Sequence, residues 1–111
     1  MSAKVCFVTG SGRRIGASII RKFANEGYAV LIHVSTSVEE GELLKSELVQ
    51  SGVEADLLQA DLSNENQTKN LVQNIIEHPF VKKRNGIDVI VHNASVYSRI
   101  SIEELSLENM R

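Results

Sequence analysis

A chain of 111 residues with a formal net charge of −2 and a pI near 5.9 offers no electrostatic case for binding nucleic acid or an anionic membrane surface. The single cysteine, Cys6, excludes an internal disulfide and a thiolate-rich metal site and fits a reducing, cytoplasmic setting. Met1-Ser2-Ala3-Lys4 shows no secretory pattern, and no run of about 20 apolar residues follows, so no membrane span is expected.

Lys4 to Thr9 reads as a first, fully buried strand, with Cys6 as a small core residue on it. It runs directly into Gly10-Ser11-Gly12-Arg13-Arg14-Ile15-Gly16. A helix follows whose residues Ile15, Ile19, Ile20, Phe23 and Ala24 share one face until Asn25-Glu26-Gly27 ends it. A strand, a glycine-spaced turn and a helix form a backbone suited to the phosphates of a dinucleotide. Glycine lets the main chain approach the anion, and the helix start offers free amides and a positive dipole end. The spacing here, G-x-G-x-x-x-G, is one residue longer than the common G-x-G-x-x-G. A purely structural turn, its glycines serving strand-to-helix packing, is the competing reading.

Tyr28 to Val34 reads as a second strand. Ser37-Val38-Glu39-Glu40 has the spacing of a capping box, and Leu43, Leu44 and Leu48 carry a second helix to the stop at Ser51-Gly52. The residues between bear on cofactor choice. An NAD enzyme of this design presents a carboxylate about 20 residues after the loop, to hold the ribose 2′-hydroxyl. Here the segment is His33-Val34-Ser35-Thr36-Ser37, with no carboxylate before Glu39. The hydroxyls of Ser35, Thr36 and Ser37, with the guanidinium of Arg13, suit a 2′-phosphate instead, which favours NADP(H).

A third strand, about Glu54 to Ala60, leads through Asp61-Leu62-Ser63 to a third helix with Leu71, Val72, Ile75 and Ile76 facing inward. His78 to Gly86 reads as an irregular connection or a last helical turn broken at Pro79, with Lys82-Lys83-Arg84 as a solvated basic turn. Ile87 to Val91 is a strongly apolar fourth strand. After Asn93-Ala94-Ser95 the pattern turns irregular, and Ser101-Ile102-Glu103-Glu104 opens a further capped helix that runs to Arg111. This alternation predicts an α/β fold: a Rossmann-like, doubly wound parallel sheet with strand order 3-2-1-4. Its ligand crevice lies at the carboxyl ends of strands 1 and 4.

Three motifs stand in order along the chain: Thr9-Gly10-x-x-x-Arg14-x-Gly16, Asp61-Leu62 after the third strand, and His92-Asn93-Ala94-Ser95 after the fourth. They answer to T-G-x-x-x-G-x-G, D-L and N-N-A-G, and over essentially its whole length the chain resembles the N-terminal part of a short-chain dehydrogenase/reductase. Arg14 in place of the middle glycine and Ser95 in place of the last resemble the pteridine reductase branch, which includes dihydromonapterin and dihydrofolate reductases. Ile32-His33 at the end of the second strand suits the same branch. The resemblance implies an NADPH-dependent oxidoreductase that passes hydride to a pterin-like small molecule.

The resemblance implies cofactor contacts from Gly10, Arg13, Arg14, Ile15, Gly16, His33, Ser35, Thr36 and Ser37. It places Asp61 and Leu62 at the adenine and Asn93, Ala94 and Ser95 at the nicotinamide ribose. Arg14, Ser95 and Tyr97 would meet the substrate. Thr36 stands where a basic residue is frequent, so Arg13 carries more of the phosphate. For Asp61 or Ser63 a helix cap is the other reading, and for Tyr97 a surface tyrosine. His33, His78 and His92 lack metal-ligand spacing and read as hydrogen-bonded structural groups, and no metal is assigned.

The family's catalytic serine and Tyr-x-x-x-Lys pair have no counterpart here. Neither Tyr28 nor Tyr97 is followed by lysine at the fourth place, and Asn109 comes too soon after Asn93 to be the family's helix asparagine. Residues 1–111 are therefore expected to be the cofactor-binding portion of a single Rossmann domain. Its catalytic residues would lie beyond Arg111, and the full-length form would be a homo-oligomer. Two alternatives stand beside this: a non-catalytic nucleotide-binding or assembly module, and a short-chain reductase of another carbonyl substrate.

Overall fold

The computed structural model describes residues 4–12 and 14–93. Arg13, Ala94, Ser95, Tyr97 and the helix expected from Ser101 lie outside the described residues. Four strands, β1 (Val5–Val8), β2 (Ala29–Val34), β3 (Ala55–Gln59) and β4 (Val89–Val91), alternate with α1 (Arg14–Asn25), α2 (Val38–Gln50), α3 (Glu65–Ile76) and α4 (Pro79–Arg84). The strands are all parallel, in the expected order β3-β2-β1-β4.

β1 and β2 are buried along their whole length, because helices cover both faces of the sheet; that is why they read as unbroken apolar runs. Alternation along the strands divides the core in two. Val5, Phe7, Ala29 and Leu31 pack with Leu71 and Ile75 of α3 and Val81 of α4. Cys6, Val8, Val30 and Ile32 pack on the other face with Ala17, Ile20 and Ala24 of α1 and Leu44 and Leu48 of α2. The Cys6 thiol is fully buried, and burial pushes its pKa up to about 12. It is a core group, as expected. Gly27 (φ 93°) and Gly52 (φ 88°) close α1 and α2 in the left-handed region, where the two helix stops were read.

Several local expectations are corrected. Ile15 and Leu43 are each 71% exposed. Their helices present Gly16, Ala17, Ile20 and Ala24, and Gly41, Leu44 and Leu48, to the sheet. A shift of one residue turns a helix by about 100°, and the fit against the sheet sets the phase. Ser37 precedes α2 without a side-chain capping bond, its carbonyl accepting from Gly41 N–H instead. The cap of α3 is Asn64, whose Oδ1 accepts from Gln67 N–H at 3.0 Å, rather than Asp61 or Ser63.

Pro79 does not break a helix but begins one. At the first helical position its missing N–H costs nothing and its fixed φ suits the turn. The basic run forms the last turn of α4, where cations complement the helix dipole. It is not wholly solvated: the Arg84 guanidinium lies over the Phe80 ring, 6.0 Å from its centroid, and pairs with Glu54.

His78 caps α4. Its Nδ1 accepts from Phe80 N–H at 3.1 Å, so Nε2 carries the proton and donates to Asp56 Oδ2 at 2.7 Å. Burial alone would raise the Asp56 pKa, but hydrogen bonds from His78, Leu57 N–H and Lys45 outweigh it and hold the carboxyl below its ordinary range. His78→Ala removes the cap and leaves a half-buried carboxylate short of a donor, a loss of about 1–3 kcal/mol. Urea unfolding near neutral pH should show the unfolding free energy fall by that amount, read as a lower midpoint at unchanged slope; an unchanged midpoint would mean that water replaces the ring.

Candidate functional site

The turn after β1 lies at the carboxyl end of the sheet and is tied to both neighbouring strands. Thr9 N–H donates to Val91 O at 3.0 Å, and Thr9 Oγ1 accepts from Asn93 N–H at 2.8 Å. Asn93 Nδ2 donates to Gly10 O at 3.1 Å. Toward β2, Ser11 N–H donates to His33 O at 2.8 Å. The Ser11 hydroxyl donates to Val8 O at 2.7 Å and accepts from His33 N–H at 2.9 Å. Gly10 N–H donates to His33 Nδ1 at 2.9 Å.

The glycines are set by these close approaches. Gly10 has φ 61°. A Cβ on Gly12 would come within 2.4 Å of Val34 Cγ1, and one on Gly16 within 2.3 Å of Gly10 O and 2.6 Å of Ser11 Cα. Packing against the protein itself therefore accounts for Gly12 and Gly16, and it draws the first turn of α1 directly under the loop. Arg14, at φ 57°, occupies the left-handed region that glycine adopts freely and arginine adopts at a cost of about 1–2 kcal/mol. Its exposed side chain lines an open cavity of about 270 Å³ between α1 and α2, bordered by Gly12, Arg21, Glu40 and Leu43.

His33 is 1% exposed. Because Nδ1 accepts from Gly10, the ring is the neutral Nε2–H tautomer, and Nε2 donates to Ala60 O at 2.9 Å. Burial holds its pKa below the ordinary 6.5, against a smaller opposing pull from the Ala60 carbonyl. Both ring nitrogens thus serve the protein, and His33 acts on the loop rather than offering a free ring atom to a ligand.

The remaining expected residues divide into surface and core. Ser35 and Thr36 are exposed at the end of β2, Ser37 is half-buried, and Gln59 Nε2 donates to Ser35 O at 3.0 Å. Asp61 is exposed, its Oδ1 accepting from Ser63 N–H and Oγ–H at 3.0 and 2.6 Å, bonds that lower its pKa. The Leu62 side chain is buried in the core beneath α3, so it is not free to lie against an adenine ring. Ile15 points to solvent. Sequence reasoning missed Ser11, which makes three hydrogen bonds in the turn; its only signal was a hydroxyl set between two glycines after an apolar strand.

The model of the short chain dehydrogenase family matches residues 4–111. An uncharacterized oxidoreductase from Thermotoga maritima is 36% identical over 111 residues, covering 97% of this chain and 40% of that protein. Among solved structures, FolM alternative dihydrofolate reductase 1 from Brucella canis, complexed with NADP, superposes with a TM-score of 0.72 at 33% identity, over 86% of this chain and 36% of that one. A blue fluorescent protein from a metagenomic library, in complex with NADPH, gives a TM-score of 0.74 at 31% identity, over 87% and 38%. The chain thus spans about 40% of the length of the curated relatives it matches. The family match starts at Lys4, at the head of β1, and the sheet order agrees with it: this chain belongs to the short-chain dehydrogenase family.

Proposed function

We propose that this chain binds NADP(H) across the carboxyl ends of β1, β2 and β4, as the cofactor-binding part of a reductase that passes hydride to a pterin-like substrate. The observation that carries the cofactor reading is the end of β2. The exposed residues Ser35 and Thr36 lie where an NAD enzyme would present a carboxylate, and from His33 onward no acidic side chain comes before Glu39. The packed glycine turn fits the group as well, because it brings the head of α1 to the place where a diphosphate needs amide donors. NADP(H), when bound, supplies the hydride.

In this reading Arg13 is the cation for the 2′-phosphate, with the Ser35, Thr36 and Ser37 hydroxyls beside it. The backbone of Ile15 and Gly16 and the Arg14 side chain serve the diphosphate, and Gly10, its N–H held by His33, shapes the turn that lets the anion approach. Asp61 bonds the adenine amino group, with Leu62 contributing only its backbone. Asn93, Ala94 and Ser95 hold the nicotinamide ribose. Arg14, Ser95 and Tyr97 receive the substrate. The pterin assignment is supported by the arginine and serine departures from the family's glycines and by the name of the Brucella canis relative. We place the protein in the cytoplasm, as a homo-oligomer, without metal.

Arg13→Ala should weaken NADPH binding by roughly tenfold or more and NADH binding by less than about twofold, the loss of one charge-assisted contact. Paired fluorescence titrations measure both, and equal losses for the two cofactors would remove Arg13 from the 2′-phosphate. Gly16→Ala should lower stability by about 1–3 kcal/mol, since a backbone carbonyl cannot move aside as a side chain end can. Thermal melting with and without NADPH tests this: an undisturbed melt with normal binding would show that the loop yields freely.

A further inference from the structure

Thr9, Gly10 and Ser11 each spend their N–H inside the protein, on Val91 O, His33 Nδ1 and His33 O respectively. The amides left for a bound anion begin at Gly12 and the head of α1. Of the three acceptors, His33 Nδ1 differs in kind. The other two are carbonyls, which accept at any pH, whereas an imidazole nitrogen accepts only while it is unprotonated. The same ring reaches Ala60 O, next to Asp61, so one side chain ties the phosphate loop to the β3–α3 connection.

We propose that His33 is a positioning residue of the phosphate loop: its neutral ring holds Gly10 N–H and thereby sets which amides face the dinucleotide, and cofactor affinity falls when the ring takes a proton. The inference rests on the cofactor reading above. A protonated ring would carry N–H at both nitrogens, so Nδ1–H would face Gly10 N–H, donor against donor, and the loop must shift.

The charged groups on the elements around His33 are turned elsewhere. Lys4 is exposed at the far end of β1, and Asp88 before β4 accepts from Val5 N–H. On β3, Asp56 is engaged by His78 and Lys45, and Asp61 beyond it by Ser63. On α3, Glu65 and Lys69 pair with each other at the surface, and His92 after β4 is exposed. Among the described residues no carboxylate pairs with the His33 ring. The sign follows. Burial lowers the folded-state pKa below 6.5. The stability contributed by the neutral ring is therefore complete above that value and is lost as the pH falls through the lowered one.

The test is calorimetric titration with NADP⁺, which tolerates acid, at about pH 8 and about pH 5.5, on the polypeptide as its gene encodes it. The 2′-phosphate itself takes a proton near pH 6, so wild type is compared with His33→Asn at each pH. The Asn Oδ1 stands close to the Nδ1 position and accepts without titrating; His33→Gln reaches toward Ala60 and abandons Gly10. At the higher pH His33→Asn should bind about three- to tenfold more tightly than His33→Gln, the worth of the one hydrogen bond to Gly10 that Asn keeps. On acidification wild type should lose more affinity than His33→Asn, by a ratio that grows as the pH falls through the lowered ring pKa.

No binding by wild type at the higher pH would end the cofactor reading itself. Equal binding by all three proteins, with parallel pH profiles, would overturn the His33 proposal and leave that reading standing. Should His33→Asn not fold, nitrogen NMR of wild type replaces it. A Gly10 amide signal that moves together with the His33 ring titration supports the proposal, and one that stays still overturns it.

Discussion

Thr9 and Ser11 are fully buried at the end of the central strand, so their amides, carbonyls and hydroxyls have no water to bond and must be satisfied by neighbours. Two neighbours are at hand, because a parallel sheet of order β3-β2-β1-β4 puts β1 between β2 and β4. Ser11 bonds His33 of β2 on one side, and Thr9 bonds Val91 of β4 and Asn93 just beyond it on the other. The turn is thus held from both sides by the sheet itself.

That arrangement leaves little room. With the turn drawn in toward Val34 and Asn93, Gly12 and Gly16 are pressed against protein atoms at distances no side chain tolerates. The glycine spacing therefore answers a packing demand first, and the access of a phosphate follows from the backbone path that packing enforces. Arg14 goes against the trend, holding a left-handed backbone without glycine's freedom. Strain of this kind persists only where the surroundings over-determine it, and here it sits at the edge of a proposed binding site.

The β-α alternation and the strand order were legible because each rests on local pattern. Val5 to Val8 and Ala29 to Val34 are continuous apolar runs, the mark of strands covered on both faces. α4 was not legible, since a proline after an apolar helix reads as a stop, and only the His78 ring, capping Phe80 N–H and bonded to Asp56, shows that a new helix begins. Ile15 and Leu43 misled for a related reason. Each is apolar within an amphipathic helix, but the sheet selected the neighbouring stripe. At the site, the loop and the acid-free end of β2 were visible, whereas the work of Ser11 and the inward engagement of His33 and Leu62 were not.

The sequence by itself determined the class of fold, the position of the glycine turn and the lack of a carboxylate between the second strand and Glu39, because periodicity, glycine spacing and charge are properties of neighbouring residues. Only the tertiary structure decided which helix faces are buried, which asparagine caps, and what each polar group of the turn is bonded to. Those bonds join residues far apart along the chain, such as Thr9 with Asn93 and Ser11 with His33. A pairing across that distance exists only once the sheet has brought three strands side by side, and no local pattern encodes which atoms then meet.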